Sequence, residues 1–353
     1  MACATLAVQN LAPRPLFTIH VMSIQLADSA AVFPAAGDRF HGLSVAVILP
    51  CYNEEAAIGT VVADFRKVLP EARIYVYDNN SRDRTSAVAL AAGAIVRSET
   101  LQGKGNVVRR MFADVDADIY LMCDGDITYD AASAPALIDK LVAENLDMVV
   151  GCRVDQDAAA YRPGHRFGNA VFTGFVANLF GNRFTDILSG YRVFSRRYVK
   201  SFPALSNGFE TETELTVHAL QLRMPIGEMN TPYGARVEGS TSKLSTYRDG
   251  YRIMVMILRL FKNERPLAFF SLIFAGLALI AIGLTIPLIV TYAETGLVPR
   301  LPTAVLAVGT MLLAFLSMTC GLVLDTVTHG RREIKRLAYL TIASTGARAD
   351  ARS

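Results

Sequence analysis

The chain has 353 residues, 52% of them hydrophobic and 19% charged, which excludes a disordered polymer and leaves room for one large domain plus a further apolar segment. Lys and Arg number 35 against 32 Asp and Glu, and the net charge of +3 is too weak a field to argue for a nucleic-acid partner. The five cysteines, Cys3, Cys51, Cys123, Cys152 and Cys320, form no C-x-x-C pair; this excludes a disulfide framework, argues against structural zinc and fits a reducing compartment.

Residues 1–43 carry little charge and no periodic pattern. A secretory signal needs a basic start and a continuous apolar run, and MACATLAVQNLAPRPLF supplies neither well, so this segment reads as a flexible tail with Met22 as an alternative start. Strands and helices then alternate. SVAVILP (44–50), RIYVYD (73–78), AIVRS (94–98), DIYLMCD (118–124) and DMVVGCR (147–153) are short apolar or β-branched runs. Between them lie helical patterns at EEAAIGTVVADFRKVL (54–69), an alanine-rich stretch after the polar turn NNSRDRT, GKGNVVRRMFADV (103–115) and SAPALIDKLVAEN (133–145). Such alternation predicts right-handed crossovers and an α/β domain over 44–243, with a mostly parallel, Rossmann-like sheet covered on both faces.

The next segment, LSTYRDGYRIMVMILRLFK (244–262), sets Leu244, Tyr247, Tyr251, Met254, Val255, Leu258 and Phe261 along one helical stripe and Arg248, Arg252 and Arg259 along another. That pattern suits a juxtamembrane amphipathic helix over 244–265 at a bilayer interface. Residues 266–293 and 301–324 then carry no charged side chain, and each exceeds the roughly 20 residues that span a bilayer. Lys262 and Arg265 before this 266–330 hairpin, and Arg331, Arg332, Lys335 and Arg336 after it, outweigh the Arg300 and Glu294 of the connecting loop. The positive-inside rule therefore predicts an inner-membrane protein with its soluble domain and a basic 331–353 tail in the cytoplasm.

In open α/β sheets, ligands collect beyond the carboxyl ends of the strands. Four polar clusters fall there: Cys51-Tyr52-Asn53-Glu54, Asp78-Asn79-Asn80-Ser81, Gly103-Lys104-Gly105 and Asp124-Gly125-Asp126. An aspartate at a strand end is often only a turn residue, and Gly103-Lys104-Gly105 lacks the Gly-Lys-Ser/Thr ending of a phosphate-binding loop. Two carboxylates separated by one glycine repel each other unless a cation lies between them, and a hard divalent ion shared with substrate phosphates, Mg²⁺ or Mn²⁺, is the usual answer.

Taken in order, VILPCYNEE, YDNNSRDRT, CDGD, LSGYRVFSRR, GFETETEL and RVEGSTSKL resemble the inverting glycosyltransferases of the GT-A fold. Within that group they are most similar to polyprenyl-phosphate glycosyltransferases of the dolichol-phosphate mannose synthase type with a two-helix membrane tail. The resemblance covers about residues 44–265. It implies a nucleotide-sugar donor, UDP- or GDP-linked, a polyprenyl phosphate acceptor at the bilayer, and a Mg²⁺ or Mn²⁺ cofactor. It further implies that Pro50, Tyr52, Glu54, Asp78 and Lys104 bind donor with Asp124, that Asp124 and Asp126 hold the metal, and that Arg236, Ser242 and Lys243 meet the acceptor phosphate. Asp126, Arg192, Glu212 and Glu214 fall in the motifs nearest the chemistry, and Tyr161–Arg166 offers further cations. Homo-oligomerisation is left open.

Three departures stand out: Asn79 occupies the place of a second aspartate, Thr128 that of a glutamine near the metal, and the chain has no tryptophan, so the Q-x-x-R-W signature of processive synthases is absent. A single transfer follows. A lipid phosphate is largely dianionic at neutral pH and needs no general base, whereas a lipid hydroxyl such as that of diacylglycerol would require one, with Glu212 or Glu214 first in line. Two other classes fit parts of the pattern: a sugar nucleotidyltransferase, which has no need of membrane helices, and a non-catalytic membrane scaffold.

Overall fold

The computed structural model describes residues 40, 42–155, 174, 184–204, 210–234, 255 and 257–351. Five strands and four helices come first: β1 (Val45–Cys51), α1 (Ile58–Val68), β2 (Arg73–Asp78), α2 (Thr85–Ala91), β3 (Ile95–Ser98), α3 (Lys104–Asp114), β4 (Ile119–Met122), α4 (Ala134–Ala143) and β5 (Met148–Asp155). The five predicted strands all form. Two more follow, β6 (Arg192–Ser195) and β7 (Ile226–Tyr233), separated by α5 (Arg196–Ser201) and α6 (Thr211–Leu222).

The seven strands make one sheet in the order β3-β2-β1-β4-β6-β5-β7. Neighbours run parallel except β6, which is antiparallel to both β4 and β5. The reason for continuous apolar runs is visible in β1, whose VAVILPC is buried on both sides of the pleat. Ala46 and Ile48 face a core shared with Val107, Val108, Met111 and Phe112 of α3, while Val45, Val47 and Leu49 face one shared with Ile58, Val62 and Phe65 of α1. Phe65 is 1% exposed, and truncating such a ring to alanine costs about 3–5 kcal/mol.

Two long helices complete the chain, α7 (Pro266–Thr295) and α8 (Leu301–Leu340), both long and apolar enough to cross a membrane. Their large side chains point outward, with Leu272, Leu279 and Leu312 about two-thirds exposed, an arrangement that suits lipid better than water. They pack on each other through small residues: Ala281, Ala307 and Ala314 are buried, and Ser317 Oγ donates to the Phe270 carbonyl at 3.2 Å.

Helix continues past the second apolar stretch into the expected basic 331–353 tail. At about 1.5 Å per residue, the 40 residues of α8 reach about 60 Å, twice the ~30 Å of a hydrocarbon core. Its last turns dock on the α/β domain. Lys335 Nζ donates to Gln221 Oε1 of α6 at 3.0 Å, Tyr339 OH donates to Asp147 Oδ2 at 2.7 Å, and the Arg197 guanidinium lies 4.7 Å from the Tyr339 ring centre. A short terminal helix, α9 (Thr345–Asp350), adds an Arg348–Asp118 ion pair at 2.6 Å. Charge counting sees only the basic residues of this stretch; the buried acids, Asp147 that receives Tyr339 and Asp118 that receives Arg348, lie about 200 residues upstream.

Of the predicted juxtamembrane helix, residues 244–254 and 256 lie outside the described residues, and 257–264 are helical. Leu258 is half exposed, whereas Ile257 and Leu260 pack on the domain core. The predicted 1–43 tail is described only at residues 40, 42 and 43.

Candidate active site

The sheet brings the predicted strand-end clusters to one edge. Asn53 and Glu54 after β1 are stitched to the turn after β2: the Asn53 amide donates to Ser81 Oγ at 2.9 Å, the Glu54 amide to Thr85 Oγ1 at 2.8 Å, and the Arg82 amide to Asn53 Oδ1 at 2.8 Å. Pro50, Tyr52, Glu54 and Asp78 are all half-buried along this seam. Burial pushes the Cys51 thiol well above its ordinary range, and the negative charges of Glu54, Asp124, Asp78 and Asp126 push it further. Four carboxylates therefore surround the end of β1. The Cys123 thiol is raised in the same way, by burial first and then by Asp124 and Asp126.

Lys104, the first residue of α3, reaches across to β4 and α6. Its Nζ lies 2.5 Å from Asp124 Oδ1 and 2.5 Å from Glu212 Oε1. Burial works to depress this ammonium, but the Asp124 and Glu212 carboxylates outweigh it and hold Lys104 above its ordinary value. Glu212 is 6% exposed and Glu214, on the same helix, is half-buried. The structure thus joins Lys104, Asp124 and Glu212, which the sequence places in three separate motifs.

Asp126 is 6% exposed, and its Oδ1 accepts from Thr128 Oγ1 at 2.5 Å and from the Thr128 amide at 3.3 Å. Thr128, noted in the sequence only as a departure, shapes the turn that presents Asp126. Between them Ile127 adopts φ 61°, a left-handed conformation unfavourable for a β-branched residue, and such strain concentrates at functional turns. No sequence signal announces it.

Arg192, expected in a motif near the chemistry, lies beneath the site rather than at its surface. It is fully buried, its Nε donating to the Ser189 carbonyl at 2.8 Å and its other nitrogens reaching the Ile187 carbonyl and Thr216 Oγ1. Burial pulls its guanidinium below the ordinary value. Arg192 therefore organises the 187–190 loop from beneath. That loop brings Gly190 against Asp124, where a Cβ would lie 2.7 Å from Oδ2, and Tyr129 OH accepts from the Gly190 amide at 2.9 Å. Tyr129, missed in the sequence, is an aromatic in the turn after β4 with no motif of its own. Arg236, Ser242, Lys243 and Tyr161–Arg166 lie outside the described residues.

A divalent cation fits this donor set. Asp124 and Asp126 supply hard oxygens at the rim, Asp124 is about 30% exposed, and the Cβ-free approach of Gly190 leaves its Oδ2 room. Among the described residues no group of three or more His, Cys, Asp or Glu is placed to hold a metal ion.

The family profile described as Glycosyl transferase family 2 matches residues 46–202. Glycosyltransferase AglJ of Haloferax volcanii is 36% identical over 255 residues, covering 70% of this chain and 82% of that protein. A protein of the same organism named Dolichyl-phosphate hexose transferase is 28% identical over 221 residues, covering 63% of this chain and 95% of its own length. Among solved structures, Mycobacterium tuberculosis glucosyl-3-phosphoglycerate synthase, crystallised with Mn²⁺, UDP-glucose and phosphoglyceric acid, superposes with a TM-score of 0.54 at 24% identity, covering 64% of this chain and 80% of that one. That likeness carries the fold. Together with the strand-end site, these matches make the chain a member of glycosyl transferase family 2, a glycosyltransferase of the GT-A fold.

Proposed function

We propose that the chain transfers a single hexose from a UDP- or GDP-sugar to a polyprenyl phosphate at the cytoplasmic face of a membrane, with inversion at the anomeric carbon and with Mg²⁺ or Mn²⁺ as cofactor. The observation that carries this reading is the carboxylate rim bridged by Lys104, in a chain that also holds two bilayer-length helices. The relative named Dolichyl-phosphate hexose transferase supports the acceptor, and the Mn²⁺ crystallised with a structural neighbour supports the metal.

Asp124 and Asp126 would hold the cation, which when bound neutralises charge on the departing nucleoside diphosphate. The chain's own residues do the rest. Lys104 fixes Asp124 against Glu212, so the rim is preorganised before donor arrives. Pro50, Tyr52, Glu54 and Asp78 line the seam assigned to the nucleoside. A phosphate acceptor is already a dianion, with its second pKa near 6, so positioning and cationic guidance are what it requires. Arg236, Ser242 and Lys243 are assigned to that guidance.

A lipid-hydroxyl acceptor such as diacylglycerol is the second reading. It needs a carboxylate base, and Glu212 is already committed to the Lys104 ammonium at 2.5 Å, which favours the phosphate. The deciding assay is a panel of UDP- and GDP-sugars against undecaprenyl phosphate and diacylglycerol in nanodiscs. Transfer to the phosphate with release of nucleoside diphosphate is expected, lost on chelation and in Asp126→Ala with the melting profile retained. Full activity after chelation contradicts the metal, and transfer to diacylglycerol alone contradicts the acceptor.

A further inference from the structure

We infer that Asn79 is a positioning residue of the donor site, holding the loop that aims Lys104. The inference rests on the assignment of the nucleotide donor to this rim. Asn79 follows β2 directly, is 4% exposed, and its backbone amide donates to the Cys51 carbonyl at 2.9 Å. Its side chain turns into the 99–103 loop between β3 and α3. Nδ2 donates to the Glu99 carbonyl at 2.9 Å and to the Leu101 carbonyl at 2.8 Å. Oδ1 accepts from the Gly103 amide at 2.7 Å and from Gln102 Nε2 at 3.4 Å. One amide group thus satisfies both ends of the loop, and Asn80 completes the set by donating to the Thr100 carbonyl at 2.8 Å.

Only an amide can do this. A carboxylate of the same shape would still accept from Gly103 but would face the Glu99 and Leu101 carbonyl oxygens with no proton to offer. An aspartate at 79 therefore cannot share this loop geometry, which gives a physical reason for the departure noted in the sequence. The side chain is also spent on the scaffold, which leaves Asp78 to meet the nucleoside.

The loop matters because Lys104 begins where it ends. Gly103 adopts φ 129°, a backbone conformation closed to ordinary side chains, and its amide is fixed by Asn79. The next residue is the lysine that bridges Asp124 and Glu212 at 2.5 Å each. Asn79 thus ties the turns after β1 and β2, where the nucleoside is assigned, to the cation beside the assigned pyrophosphate. A loose loop would let Lys104 leave its carboxylates, and the rim would lose the order it has before donor binds.

The test uses the full-length protein in nanodiscs and the isosteric Asn79→Asp beside Asn79→Ala. Hydrogen exchange over 99–106 reads the loop directly; calorimetry with UDP and with GDP, each with Mn²⁺, reads the site; thermal melting reads the fold. Faster exchange at Gly103 in Asn79→Ala is expected, with faster exchange over 99–102 in both variants. The Kd of whichever diphosphate binds wild type should rise about tenfold, equivalent to about 1.4 kcal/mol. Unchanged exchange in both variants overturns the inference, as does a lower melting temperature with unchanged Kd, which would make Asn79 a stabilising residue only. If neither diphosphate binds the wild-type chain, the donor assignment fails and the inference falls with it, whatever the exchange shows.

Discussion

Lys104→Met is the most informative single perturbation of the rim. It keeps the length and apolar stem of the side chain and removes the charge that Asp124 and Glu212 share. The lysine side chain is 12% exposed and those of Asp124 and Glu212 are 30% and 8% exposed. Removing one partner of a fully buried pair costs about 3–5 kcal/mol, because the other charge is left without compensation. Water screens the Asp124 half of this triad, so the loss should sit near the lower end, about 3 kcal/mol, most of it from the stranded Glu212. For a domain of this size each kcal/mol moves the melting temperature by about 2–4 °C, giving a fall of roughly 6–12 °C. Circular dichroism of the detergent-solubilised protein would record it. Adding Glu212→Gln to Lys104→Met should restore most of the loss, since a neutral amide replaces the stranded charge. A loss below about 1 kcal/mol, or a double variant no more stable than Lys104→Met, would refute the view that Lys104 neutralises a buried anionic centre.

Two further outcomes follow from buried groups away from the rim. Burial, aided by the nearby Lys335 charge, lowers the His218 pKa to about 3 against an ordinary 6.5, so the unfolded chain takes up the proton first as pH falls. Stability from this residue is complete above pH 6.5 and declines toward pH 3, by about 2 kcal/mol at pH 5; denaturant titrations at pH 7.5 and 5 should show that slope flatten in His218→Phe. Tyr339→Phe removes a hydrogen bond to the fully buried Asp147 carboxylate and should cost about 1.5–3 kcal/mol, while Tyr292→Phe, on an exposed part of α7, should cost under about 0.5. Equal losses for the two would show that the α8 dock contributes nothing.

The fold was legible wherever local pattern and burial coincide. Runs such as VAVILPC and RIYVYD are apolar because both faces of a central strand are covered, so β1, β2, β4 and β5 stand out, while the exposed edge strand β3 shows only as a short β-branched run. The strands β6 and β7 were not called, and the reason differs for each. RVFS in β6 is four residues long and begins with a buried arginine, which composition reads as surface, while IGEMNTPY in β7 mixes Glu, Asn and Pro into an edge strand. At the site, Asp124 and Asp126 were legible as an improbable pair of like charges. The Lys104–Glu212 contact was not, because 108 positions separate the two residues and only the packing of α3 beside α6 closes that distance. Arg192 shows what a motif leaves out: its charge reads as surface chemistry, whereas its guanidinium serves carbonyls inside the fold.

The docked end of α8 changes what the membrane segment implies. A domain on a flexible tether samples many heights and tilts over a bilayer, and a long lipid acceptor would meet its rim by chance. Here the helix that continues the second span lies against α5 and α6, held by Lys335 on Gln221 and Tyr339 on Asp147. At the other strand of the hairpin, Arg332 Nη2 donates to the Glu264 carbonyl at 2.6 Å and lies 3.2 Å from its carboxylate, just before α7 begins. Both entrances to the hairpin are therefore pinned to each other and to the sheet domain. On the proposed membrane reading, a domain pinned at both entrances would hold its carboxylate rim at one height over the bilayer, where a tethered domain would not.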